Sequence, residues 1–216
     1  MYQRTALENG IRVVTEEIPQ VRSVALGFWF RVGARDEDPE FAGISHLIEH
    51  LMFKGTEKRS AREIAEVFDS TGGQLNAYTS KEYTCYYARV LDNHLPMATE
   101  VLSDMILHGK FATEDLEKEK GVVQEEIKMY EDSPDEIVHD LFTQAILDGH
   151  PLGRNILGTA ESVASLSRDD LKGYLARHYT PDNLVVAAAG HTDHASVVNL
   201  VREHLGGYRG RKQETP

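Results

Sequence analysis

The 216-residue chain holds a single cysteine, Cys85. One thiol excludes an intrachain disulfide framework and every cysteine-rich zinc module, and it suits a reducing, cytoplasmic setting. Long apolar runs are also missing. No stretch approaches the ~18 residues of a membrane span, so no membrane partner is expected. Positive charge is scarce: 23 Lys and Arg stand against 35 Asp and Glu, a formal net charge of −12. That balance disfavours phosphate binding and argues against a nucleic-acid partner. The opening MYQRTALENGIRVV has neither the apolar core of a signal peptide nor the Arg/Ser bias of a transit peptide. What remains is an ordinary globular mix, 41% hydrophobic and 27% charged, able to bury a sizeable core.

Residues 2–7 and 11–16 read as short strands joined at Asn9-Gly10, a type I′ hairpin signal. Residues 22–32, rich in Val and aromatics, suit a central strand. A polar loop follows, then helices over 44–53 and 60–70, the second with Ser60 as cap and Glu63 closing a capping box. Gly72-Gly73 breaks the pattern before two further strands, QLNAYTS and TCYYARVL. Helices are expected over 94–108, 113–130, 133–147, 167–177 and 194–205, with a loop at 150–158 and a strand over 183–189. Strands and helices come in segregated groups, which argues an α+β fold: a mostly antiparallel sheet with helices packed on it. Residues 1–208 read as one domain, and the polar segment 209–216 as a linker or chain end.

The densest chemistry is His46-Leu47-Ile48-Glu49-His50. On a helix, positions i and i+4 stand one turn apart on one face, so two imidazoles can converge on one tetrahedral metal ion. Glu49 lies beside them, able to reach a metal-bound water without being a ligand. Leu47, Ile48 and Leu51 can pack the other side. The bland alternative is a pair of solvated or hydrogen-bonded histidines, and on the pentapeptide alone it stands equal.

Two histidines also leave a catalytic zinc site short of a ligand. The helix 113–130 offers candidates. Its apolar stripe runs through Val122, Val123, Ile127 and Tyr130, and Glu119 and Glu126 fall in the same stripe. Lys118, Lys120, Gln124, Glu125 and Lys128 take the outer face. Carboxylates in a core-facing stripe are costly unless a cation or proton compensates them. A metal shared with the two histidines would do so; a mis-phased stripe with both glutamates solvated is the alternative. Cys85, in an alternating strand, reads as a packed core residue and not as a nucleophile.

HLIEH, with the following Phe53-Lys54-Gly55-Thr56, resembles the inverted zinc motif of the pitrilysin/insulinase metallopeptidases. The resemblance spans essentially the whole chain, through GGQLNAYTSKEYTCYYARVL, EKEKGVVQEEIKMYEDSPDE and HPLGRNILGT. It is strongest toward bacterial processing-peptidase-like members and the catalytic subunit of mitochondrial processing peptidase. It implies a pitrilysin/processing-peptidase-like domain, Zn²⁺ as cofactor, and His46, His50 and Glu126 as ligands. It further implies Glu49 as general base and Glu119 as a carboxylate that supports a ligand imidazole. Asn76 and Ala77 match positions that line the substrate groove, where residues 73–79 could take a peptide as an added strand. Arg154 matches a recurrent loop and is expected to be structural.

The implied partners are a peptide or unfolded protein substrate, presequence-like segments among them, and a second homologous domain or partner subunit that closes the chamber. The exposed strand 73–79 could also pair two copies as a homodimer. Three functions stay open: a zinc endopeptidase, a non-catalytic binding or assembly subunit of the same fold, and a metal-binding protein without peptidase activity. Retention of His46, Glu49, His50 and Glu126 favours the first.

Overall fold

Six strands form the backbone of the structure, a computed structural model that describes residues 1–210. They are β1 (Gln3–Ala6), β2 (Arg12–Glu17), β3 (Ser23–Phe30), β4 (Gln74–Thr79), β5 (Thr84–Leu91) and β6 (Leu184–Gly190). Their order across the sheet is β1-β2-β6-β3-β5-β4. Every neighbouring pair is antiparallel except β2 with β6, as the α+β expectation requires. No described helix is long and apolar enough to cross a membrane. Of the segment 209–216, residues 211–216 lie outside the described residues.

Strand alternation sorts the sheet into two unlike faces. On β3, Val24, Leu26, Phe28 and Phe30 are buried and point toward the helices. Ala25 and Trp29, at the intervening positions, keep some exposure. On β5 the buried series is Thr84, Tyr86, Ala88 and Val90, while Tyr87, Arg89 and Leu91 stay open. The helical layer consists of α1 (Ile44–Met52), α2 (Ala61–Asp69), α3 (Leu95–His108), α4 (Thr113–Glu131), α5 (Pro134–Ile146), α6 (Ala160–Ser165), α7 (Arg168–His178) and α8 (His194–Leu205). Ser60 caps α2 and Glu63 closes its capping box; Ser167 does the same for α7 with Asp170. The six-residue α6 is too short to show a helical period. A matching box, Thr159 with Ser162, starts it.

Two expectations need correction. A type I′ turn needs positive φ at both central residues, yet only Gly10 of the Asn9-Gly10 pair has it (φ +100). The hairpin instead closes through Gly10 N–H to Leu7 O (3.0 Å) and Leu7 N–H to Ile11 O (2.8 Å). Asn9 is occupied elsewhere: its amide donates to Leu205 O at 2.8 Å and ties the hairpin to the end of α8. The stripe on α4 is also rotated. Leu116, Glu119, Lys120, Val123 and Ile127 are its buried residues, while Val122 is exposed. Lys120 leaves the outer face because its long stem can be buried while the ammonium meets Glu117 Oε1 at 2.8 Å.

Helix α5 buries none of its residues; Val138, Leu141, Phe142 and Ile146 all stand exposed. The energetic centre therefore lies between the sheet and the helices that bury residues on it, α1, α3 and α4 among them, and not at α5. Phe28→Ala should cost about 3–5 kcal/mol through the cavity it leaves, and Ile146→Ala no more than about 0.5 kcal/mol. Urea unfolding of the two variants against the parent chain checks the contrast.

Candidate metal centre

Helix α1 starts where the chain turns through Gly43, at φ +91. Ile44, Leu47, Ile48 and Leu51 are fully buried and seat the helix against β4 and α4. His46 and His50 face α4, and Glu49 faces the end of β4. The two imidazole rings lie 4.6 Å apart.

Glu126 arrives from α4. Its Oε1 is 3.8 Å from His46 Nε2 and its Oε2 is 3.6 Å from His50 Nε2. These gaps are too long for hydrogen bonds. They suit donors around a common ion, since tetrahedral ligands ~2.1 Å from a zinc stand roughly 3.4 Å apart. His46, His50 and Glu126 each offer one donor atom, all within 4.8 Å of one another. Two imidazole nitrogens and one carboxylate oxygen are a donor set for a divalent transition metal with an open position.

Glu119 sits two turns earlier on α4, buried, and takes a different role. Its Oε2 is 3.1 Å from His50 Nδ1 and its Oε1 is 2.7 Å from Lys54 Nζ. The bond to Nδ1 leaves His50 Nε2 as the nitrogen with a free lone pair. Lys54, just past α1, supplies the positive charge that makes the buried carboxylate tolerable. Burial, and then the neighbouring His50, pushes the His46 imidazole down to about 4, so it is neutral near pH 7, as a metal ligand must be.

Glu49 lies in the same cleft. Burial raises its pKa above the ordinary carboxylate value, and the hydrogen bond from the Thr79 hydroxyl limits the rise. Thr79 Oγ1 donates to Glu49 Oε2 at 2.6 Å. The cleft, about 640 Å³, continues from His46, Glu49 and Glu126 past Tyr130 to Glu136 and Asp140.

β4 is one edge strand of the sheet, opposite β1. Asn76 and Ala77 occupy opposite faces of it: Ala77 is buried and Asn76 exposed. The Ala77 N–H donates to Asn76 Oδ1 at 2.8 Å. Arg154 donates to the main-chain oxygen of Glu37 and lies away from the donor cluster. Cys85 is buried, with its thiol pushed up to about 12 by burial, so it has no thiolate to offer near neutral pH. Lys54, Thr79, Glu136 and Asp140 are site neighbours that the sequence pattern does not single out. Lys54, Thr79 and Glu136 do lie within the blocks that carry the family resemblance, whereas Asp140 lies outside them.

Fold and site together describe a helix-covered sheet with a histidine–glutamate cluster, able to hold a divalent metal, beside one sheet edge. Residues 12–160 match the family model for insulinase, peptidase family M16, and residues 165–216 match that for the peptidase M16 inactive domain. The chain belongs to the insulinase (M16) peptidase family. It is 52% identical over 215 residues to an uncharacterized zinc protease of Bacillus subtilis, covering all of this chain and 52% of that protein. It is 41% identical over 199 residues to a protein of Arabidopsis thaliana named probable mitochondrial-processing peptidase subunit beta, covering 92% of this chain and 38% of that one. A protease from Helicobacter pylori superposes with a TM-score of 0.94 at 24% identity, over all of this chain and 52% of the other. Pitrilysin superposes at 0.87 and 22%, over all of this chain and 24% of its own. The chain thus spans about half the length, or less, of the curated relatives it matches.

Titration of the metal-free chain with Zn²⁺ or Co²⁺ tests the donor set. One equivalent should bind tightly, His50→Ala and Glu126→Gln should abolish that site, and Glu119→Gln should weaken it by about 10–100-fold. If Glu126→Gln leaves binding intact, the third donor is another group.

Proposed function

We propose that this chain is the catalytic domain of a zinc endopeptidase that hydrolyses peptides or unfolded, presequence-like segments. The observation that carries the reading is the convergence of His46, His50 and Glu126 beside the half-buried Glu49 carboxylate. Membership in a family whose relatives are named zinc proteases supports it.

The proposed ligands are His46 Nε2, His50 Nε2 and a carboxylate oxygen of Glu126. Held there, Zn²⁺ supplies a Lewis acid that polarises the scissile carbonyl and acidifies an attacking water. Glu49 takes the proton of that water and returns it to the leaving amine. Its elevated pKa serves both halves of the task, since a stronger base accepts more readily and its conjugate acid sits nearer neutral pH. The Thr79 hydroxyl engages one Glu49 oxygen and so sets the carboxylate's orientation. Glu119 fixes the His50 ring and does not contact the reacting atoms.

β4 presents unpaired main-chain groups along its outer edge, and a peptide can add there as a further strand. The Asn76 amide must then release the Ala77 N–H, which makes Asn76 and Ala77 substrate-binding residues in this reading. Glu136 and Asp140 add negative charge to the cleft, with Lys81 Nζ 3.8 Å from Asp140. Their placement favours a basic side chain on the substrate, the charge pattern of a presequence-like segment. A second homologous domain or partner subunit completes the enclosure: a lone half leaves the peptide solvated on one side and poorly oriented.

Two outcomes are expected in a quenched-peptide assay. Glu49→Gln should retain metal but lose about 10²–10⁴-fold in turnover; loss of metal with it would make Glu49 a ligand or a structural support. Glu136→Gln with Asp140→Asn should raise KM about 10-fold for an arginine-bearing peptide and leave a neutral analogue unchanged. Equal effects on both peptides would remove the charge-selection role.

A further inference from the structure

Glu37 lies outside the metal cluster, yet only 4% of it is exposed, and both its carboxylate oxygens are committed. Oε2 accepts the Gly43 N–H at 2.8 Å and Oε1 accepts the Ser45 N–H at 2.9 Å. These are amides of the first turn of α1. A helix begins with four N–H groups that lack an intrahelical acceptor, and a side chain at the N-cap normally serves one of them. Here the N-cap is Gly43, which has no side chain to offer. Nor could another residue easily replace it, because a Cβ on Gly43 would fall 2.5 Å from Leu157 O, at a backbone φ of +91. The capping function has moved six residues upstream.

Glu37 is itself anchored. The Arg154 guanidinium donates to its main-chain oxygen, which attaches the loop 150–158 to the same point. Burial pushes the carboxyl up to about 7, against the pull of the Ser45 and Gly43 amides and of Arg154. Ser45 Oγ also lies 2.8 Å from the Tyr174 hydroxyl on α7. His46 follows Ser45 directly, and Glu49 and His50 are the next residues on its face. A shift or rotation of this first turn moves every α1 group of the metal centre relative to α4.

We propose that Glu37 is a positioning residue for the metal centre: a remote N-cap that sets the height and rotation of α1 so that His46 and His50 meet Glu126. The proposal rests on the metal-site reading above. Its distinguishing consequence is that loss of the Glu37 carboxylate disturbs metal geometry beyond what general destabilisation does. Replacing it with an amide keeps the volume but turns one acceptor into a donor that faces a helix N–H.

The test is Co²⁺ titration of the metal-free chain, followed by binding affinity and by the visible absorption spectrum. Parent chain, Glu37→Gln and Leu205→Ala are compared; Leu205 is a fully buried α8 residue in the core, away from α1 and α4. Glu37→Gln should retain the far-UV signal of the fold, bind Co²⁺ ~10-fold or more weakly and show an altered spectrum. Leu205→Ala should lower Tm at least as much and leave affinity and spectrum unchanged. Parent-like cobalt binding in Glu37→Gln, or equal weakening in Leu205→Ala, overturns the proposal. Should Glu37→Gln not fold, Tyr174→Phe removes the hydroxyl that braces Ser45. A smaller weakening in the same direction then supports the proposal, and parent-like binding overturns it. Absence of Co²⁺ binding in the parent chain instead sinks the metal-site reading, and the proposal with it.

Discussion

The site depends on one buried carboxylate. Glu119 joins α4 to α1 by accepting from His50 at one oxygen and pairing with Lys54 at the other. Alone it would be a buried charge costing several kcal/mol; between these partners it pins the two helices in register. The pin also separates the two glutamates of α4. With both oxygens committed, Glu119 has none to spare for the space between the imidazoles. Glu126, two turns along, meets only His46 and His50 among the ion pairs of the described residues. It is free to serve as a donor. Chemically identical side chains on one helix thus acquire different roles from their neighbours alone.

What the sequence discloses is local, and what it withholds is long-range. His46 and His50 converge because 3.6 residues per turn place i and i+4 together; no tertiary knowledge is needed. The capping boxes at Ser60 and Ser167 are equally local. The phase of α4 is not. Val122 and Lys120 exchange their expected exposure because an aliphatic lysine stem can fill a core position while its ammonium reaches Glu117, and apolar counting cannot see that. The Thr79–Glu49 bond spans 30 residues, and the Glu37 cap operates through a glycine that looks uncapped in the sequence. Asn9-Gly10 shows the same limit in miniature: the dipeptide suits a type I′ turn, but the Asn9 amide is drawn to Leu205 and the turn takes another form.

Burial acts on both kinds of group at the centre, in opposite directions and to compatible ends. Desolvation disfavours charge. It lowers His46 to about 4 and keeps the imidazole neutral, while it raises Glu49. A neutral imidazole is what a metal needs, and a carboxylate of raised pKa is what proton transfer near neutrality needs. In the proposed reading the pocket thus prepares ligand and base with a single physical cause, and Thr79 limits how far the Glu49 shift goes.

The position of the centre in the sheet explains why such chemistry could act on a peptide. The described chain covers one sheet face with helices and leaves the other largely open, with Tyr78 and Tyr87 exposed upon it. β4 is the boundary between the two. Thr79, at its end, reaches Glu49 on the covered side, while the adjacent Tyr78 stands on the open side and contacts Trp29 and Tyr83 edge-on. An added strand along β4 would lie over that boundary, its alternate side chains directed to the two faces. One set would meet the metal-centre cleft and the other the aromatic surface. Catalytic groups buried deep in the helical layer could not be approached in this way, and groups on the open face would lack the desolvation that tunes His46 and Glu49. The sheet edge satisfies both demands at once, which is a physical reason for the zinc-type motif to sit on the helix that packs against the edge strand.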